Sequence, residues 1–177
     1  MKLETDPKRV AMLARRREDA NWKFRSFLKG CDLSASRLDR LVHEVYKEVS
    51  ASIDCRACAN CCKVITPTLM PADIRRLAAH LGLTPDGFTA RFLHKDEDDG
   101  AWVFEAGPCP FLVNNECTVY EHRPDDCRSF PHLHKRNFRG RLIQAVTNTA
   151  VCPIVYHVFE ELKAELWHDR GTAGDSR

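Results

Sequence analysis

Four thiols fall within eight residues of this chain, in Cys55-Arg-Ala-Cys58-Ala-Asn-Cys61-Cys62. Such a segment cannot be spent on an apolar core. Several sulfurs must instead converge on one point while the backbone wraps around them. The run has no helical or alternating periodicity of its own, so loop geometry is expected there. Cys109, Cys117, Cys127 and Cys152 follow at wider intervals and Cys31 lies upstream, nine cysteines in all.

Compartment decides what cysteines mean. The opening Met-Lys-Leu-Glu-Thr-Asp-Pro-Lys-Arg has no apolar stretch, so no secretory signal is expected. No uncharged run approaches the roughly 18 residues that a membrane span requires. The expected location is cytoplasmic, where disulfides rarely persist and clustered thiols are more often metal ligands or catalytic groups. The odd cysteine count agrees, and so does the length: 177 residues with 44% hydrophobic content can bury a core without covalent staples. A net charge of +2 exerts no general pull on nucleic acid or membrane, and neither is expected as a partner.

The pattern predicts a mainly α fold with minor β: a single small domain of amphipathic helices around a loop-rich, cysteine-ligated metal centre. Residues 1–50 are expected as an N-terminal helical extension packed on the core, 51–170 as the cysteine-cluster metal-binding domain, and 171–177 as a flexible tail. One helix is expected over 7–29, ending at Gly30. A second carries Leu38, Leu41, Val42, Val45, Tyr46 and Val49 at helical spacing, with Ser34 or Ser36 as N-cap. Residues 63–69 suggest a short extended segment, Pro71 opens a helix that stops at Gly82, and Thr84-Pro85 opens another carrying Phe88, Phe92 and Leu93. Asp96–Gly100 lacks the ligand spacing of a calcium loop and reads as a solvated turn. Strands are expected at 101–105, 111–113 and 140–147, with a turn at Asn114-Asn115, a short helix opened by Pro124, and a last helix over about 153–168.

The cysteine spacing narrows the metal chemistry. Structural zinc sites usually draw C-x2-C pairs from two separated segments. Three cysteines in succession at x2 spacing instead resemble the bacterial ferredoxin run, which supplies three corners of a [4Fe–4S] cubane and takes the fourth ligand from a distant Cys-Pro. Two such pairs exist, Cys109-Pro110 and Cys152-Pro153. Adjacent side chains diverge, so Cys61 and Cys62 are poor partners for one mononuclear ion; a multinuclear cluster or two neighbouring sites removes the conflict. The expected metal ligands are Cys55, Cys58, Cys61, Cys62, Cys109, Cys117, Cys127 and Cys152, divided into Cys55, Cys58, Cys61 and Cys152 on one side and Cys62, Cys109, Cys117 and Cys127 on the other. The expected cofactor is an iron–sulfur cluster, [4Fe–4S], or zinc. Arg56, Lys63, Arg123 and Arg128 lie close in sequence to these thiols and suit anionic sulfur. Cys31 reads as a small buried hydrophobe, and His132 and His134 as polar surface residues rather than ligands.

C-x2-C-x2-C-C, then Cys109-Pro-Phe-Leu, then Cys117-Thr-Val-Tyr-Glu-His-Arg-Pro-Asp-Asp-Cys127-Arg-Ser-Phe-Pro and a late cysteine resemble the YkgJ-type cysteine cluster proteins, the CxxCxxCC zinc- or iron-chelating domains. The likeness runs from about 54 to 153 and covers all eight cysteine positions. It implies metal binding by those eight thiols and no settled reaction. A flagellin lysine methylase is similar in its cysteine cluster, but the C-x3-C-x2-C run of radical enzymes and a G-x-G-x-x-G loop are absent here. The readings that remain are an iron–sulfur protein with an unidentified protein or redox partner, a zinc-stabilised interaction module, a thiol-redox or metal-storage protein, and a metal-dependent modifying enzyme. No phosphate loop, nucleophile elbow or H-E-x-x-H signature points to conventional catalysis.

Overall fold

The computed structural model describes residues 3–105 and 107–167. It is 60% helical with few short strands, the mainly α architecture with minor β that the sequence predicts. In chain order the elements are α1 (Pro7–Arg16), α2 (Glu18–Gly30), α3 (Ala35–Ala51), α4 (Cys55–Cys58), α5 (Cys61–Val64), β1 (Thr68–Leu69), α6 (Pro71–His80), α7 (Pro85–Phe92), β2 (Leu93–Lys95), β3 (Trp102–Phe104), β4 (Leu112–Val113), β5 (Glu116–Cys117), α8 (Asp125–Ser129), α9 (Leu142–Asn148) and α10 (Pro153–Leu166). Two compact units emerge: one takes the chain up to Asp54 and from Pro131 onward, the other Cys55–Phe130.

In the first unit the single helix expected over 7–29 is two. Arg17 leaves helical geometry at φ −105° and ψ 8°, and its N–H closes α1 on the carbonyls of Leu13 and Ala14. The signal is electrostatic: basic Arg15 and Arg16 sit at one helix C-terminus and acidic Glu18 and Asp19 at the next N-terminus, each favourable to its dipole. Asp6 caps α1 by accepting from the Lys8 and Arg9 amides, and Ser34 caps α3 by accepting from Arg37. The face of α3 buries Leu38, Val42 and Val49, while α10 buries Ile154, Val155, Val158, Phe159 and Leu162. Phe24 of α2 meets Phe159 edge-on at 5.4 Å.

The strand expected over 140–147 is instead a 3₁₀ turn, Phe138–Arg141, running into α9. Leu142, Ala145 and Val146 are its buried residues, a helical spacing. The last helix ends at Leu166, and the expected tail, 171–177, lies outside the described residues.

The second unit packs α6 and α7 with a three-stranded antiparallel sheet of order β1-β3-β2 around Leu69, Leu77, Phe88, Phe104 and Phe111. Leu93, expected in a helix, is taken by strand β2 because it pairs with Phe104. The acidic stretch makes the β2–β3 turn: the Asp96 carboxylate accepts from the Asp98 and Asp99 amides, and Gly100 adopts φ +69°. Strands β4 and β5 form a hairpin whose two loop residues, Asn114 and Asn115, both have positive φ (50° and 68°), as a type I′ turn demands.

Candidate metal centre

The cysteine run is not a plain loop. It folds as two single helical turns, α4 and α5. The x2 spacing explains the first, because positions i and i+3 share one side of a helical turn, so Cys55 and Cys58 lie together. Ala59 then enters the left-handed region at φ 46° while staying 6% exposed, which reverses the chain and starts the turn holding Cys61 and Cys62. An alanine there costs about 1–2 kcal/mol.

The distant thiols are brought to this segment by the second unit's own hydrogen bonds. The Cys109 amide donates to the Cys62 carbonyl at 2.8 Å. Cys117 lies in β5 opposite Leu112, and Cys109 and Cys117 both pack against the apolar core. Cys127 rides on α8, which Pro124 opens as expected. Asn115, at the tip of the β4–β5 hairpin, ties the cysteine run to the hairpin: it donates to the Ala57 carbonyl at 2.6 Å and accepts from Lys63 Nζ at 2.5 Å.

Electrostatics gives the grouping. The Cys62 thiol is pulled down to about 6, first by a hydrogen bond from the Cys61 thiol and then by its own backbone, Lys63 and Arg123, against the opposing effect of burial. Burial pushes Cys109 up to about 11, with the charges of Cys62 and Cys117 adding to it. Burial also raises Cys117, with Cys62 acting in the same direction. Cys127 is pushed up to about 12 by burial and then by Cys109, Cys62, Asp126 and Cys117. Every pair among Cys62, Cys109, Cys117 and Cys127 therefore feels one another's charge. One thiol is poised as thiolate, and three stay protonated until a cation offsets their charge.

Among the described residues no three His, Cys, Asp or Glu side chains stand in an arrangement that holds a metal ion. Closing a set of thiols on one ion requires that their protons leave as the metal binds. An all-sulfur donor set suits a thiophilic ion, zinc or iron.

The expected cations divide by task. Lys63 and Arg123 act on Cys62 directly. Arg123 also joins Arg56 in holding Tyr120, their guanidinium carbons 3.7 and 4.9 Å from the ring centroid. Arg128 turns to the backbone, donating to the carbonyls of Glu121 and Arg123. Tyr120 and Asn115 carry no metal-binding signature in sequence; their place between thiols is the only hint.

Cys152 belongs to the first unit, where it is buried and precedes α10. So do His132 and His134; His132 is buried rather than a surface residue, and His134 lies beside Tyr46 with ring centroids 6.2 Å apart. Cys31 is half-buried rather than enclosed, its sulfur 3.5 Å from both the Leu28 carbonyl and Arg139 Nη2.

The family model CxxCxxCC, described as "putative zinc- or iron-chelating domain", matches residues 54–153, more than half of the chain. Neither a curated protein nor a solved structure matches it. Among the described residues no single helix is long and apolar enough to cross a membrane.

Proposed function

Since the chain belongs to the CxxCxxCC family of zinc- or iron-chelating domains, we propose that it is an iron–sulfur protein in which Cys62, Cys109, Cys117 and Cys127 form one four-thiolate set. The observation that carries this reading is the mutual electrostatic influence of those four thiols, reinforced by the Cys109–Cys62 backbone hydrogen bond. A cubane cluster takes four thiolates.

Iron–sulfur is preferred to a lone zinc on two grounds. Seven of the nine cysteines lie within Cys55–Phe130, more than one tetrahedral zinc uses. The x2-spaced thiols Cys55, Cys58 and Cys61 also match the cubane run better than the separated C-x2-C pairs of a structural zinc. Cys55, Cys58 and Cys61 keep the x2 spacing of a second set, and the place of Cys152 among the ligands rests on the cysteine pattern alone. When bound, a cluster supplies one-electron exchange. The residues around it do the rest: Lys63 and Arg123 offset thiolate charge, Asn115 fixes the cysteine run, and burial limits solvent access to Cys109 and Cys127.

The test is anaerobic purification of the full chain, with iron, zinc and acid-labile sulfide measured beside a visible spectrum. A brown protein with matched iron and sulfide supports the proposal. A colourless protein with stoichiometric zinc overturns it in favour of a zinc-stabilised module.

A further inference from the structure

The segment between Cys117 and Cys127 is held in an unusual way. The carbonyls of Tyr120, Glu121, His122 and Arg123 each accept from a guanidinium: Tyr120 from Arg123, Glu121 from Arg128, His122 from Arg76, and Arg123 from both Arg76 and Arg128. Apart from a single 3₁₀ turn at Tyr120–His122, this stretch has no regular structure to occupy those acceptors.

The anchor is on α6. Asp73, 1% exposed, accepts from the Met70 amide at 3.0 Å, from Arg76 Nη2 at 2.5 Å and from the Asp125 amide at 3.1 Å. Arg76 reaches onward to the Asp125 carboxylate at 3.0 Å. A buried carboxylate thus orients a guanidinium, and both grip the chain just before the turn that carries Cys127.

We propose that Asp73, Arg76 and Arg128 are positioning residues that set how long the metal centre is retained, by fixing the backbone between Cys117 and Cys127. The proposal rests on the metal-binding reading above and adds to it a function for residues that touch no metal. Partners that orient ligands from outside the coordination sphere typically govern metal affinity by about 10–100-fold. The geometry also requires arginine: a lysine ammonium cannot donate at once to two carbonyls and two carboxylates in this planar spread.

The experiment loads the full chain anaerobically with zinc, which thiolate sites bind more tightly than ferrous iron, and follows its transfer to excess chelator. Arg76→Lys and Arg128→Gln are compared with Leu77→Ala. Leu77 is fully buried on the same helix and packs in the core. Zinc release about 10–100-fold faster in the two arginine variants, with Leu77→Ala near the wild-type rate despite a lower Tm, supports the proposal. Unchanged release in both arginine variants overturns it, as does equal acceleration in Leu77→Ala. A wild-type chain that takes up neither zinc nor, on anaerobic reconstitution with ferrous iron and sulfide, iron overturns the metal-binding reading itself, a result distinct from unchanged release.

Discussion

The Cys109 amide donates to the Cys62 carbonyl at 2.8 Å, so the end of the cysteine run and the first of the distant thiols share a backbone hydrogen bond. It places a thiol shifted down beside one shifted up, and this asymmetry has consequences that can be measured.

Without a metal, the Cys61 thiol holds Cys62 down to about 6, while burial pushes Cys109 up to about 11 and Cys127 up to about 12. At pH 7 the first is mostly thiolate and the other two are thiols, and only the thiolate is a nucleophile. Brief native alkylation at pH 7 therefore modifies Cys62 ahead of Cys109 and Cys127, read by peptide mass spectrometry. Metal uptake must expel the remaining protons, so apparent affinity rises with pH across the neutral range and binding acidifies a weakly buffered solution. Equal labelling of the three thiols contradicts the assignment.

Removing a proposed ligand differs from removing a bystander. Cys62→Ser, Cys109→Ser, Cys117→Ser and Cys127→Ser each lower bound metal by the full content of their shared set, while Cys31→Ser leaves stoichiometry unchanged because that thiol sits with Leu28 and Arg139 in the other unit. Metal analysis on purified variants decides it.

Tyr120 lies between the Arg56 and Arg123 guanidiniums. Each cation–π contact near a surface contributes about 0.5–1 kcal/mol. Tyr120→Leu should therefore cost about 1–2 kcal/mol in urea denaturation of the metal-loaded chain, from the two contacts together. Tyr120→Phe keeps both contacts and stays within about 0.5 kcal/mol of wild type. Equal behaviour of the two variants counts against the ring's role.

Metal removal acts locally. Hydrogen exchange after chelation rises across Cys55–Val64 and Asp125–Ser129, thiol-bearing turns whose helical residues are none of them buried. Amides of α10, with Ile154, Val158, Phe159 and Leu162 at most 1% exposed, keep their protection.

Much of the helical framework is legible in the sequence, for a physical reason. The faces of α3 and α6 repeat at helical spacing from Ser34 and Pro71, and Pro153 opens α10, signals that depend only on neighbours. Where local preference is outvoted, the reading fails. That is the case for β2, which exists because Phe104 pairs with Leu93. The break at Arg17 and α9 instead carry local signals, the charge reversal from Arg15-Arg16 to Glu18-Asp19 and the helical spacing of Leu142, Ala145 and Val146, which the expected single helix and strand pass over. At the candidate centre, spacing marks the thiols as ligand candidates. It says nothing of Asp73 and Arg76, whose partners lie in the 120s, because no periodicity links a helix to carbonyls it meets only after folding.

The most direct measurement is metal K-edge X-ray absorption on the protein as isolated without air. The expected result is an iron edge with a first shell of sulfur alone and iron neighbours beyond it, and an iron content that falls when Cys62 and Cys127 are both replaced by serine. A shell dominated by nitrogen or oxygen, a zinc edge with no iron, or an iron content unchanged by that double substitution would contradict it.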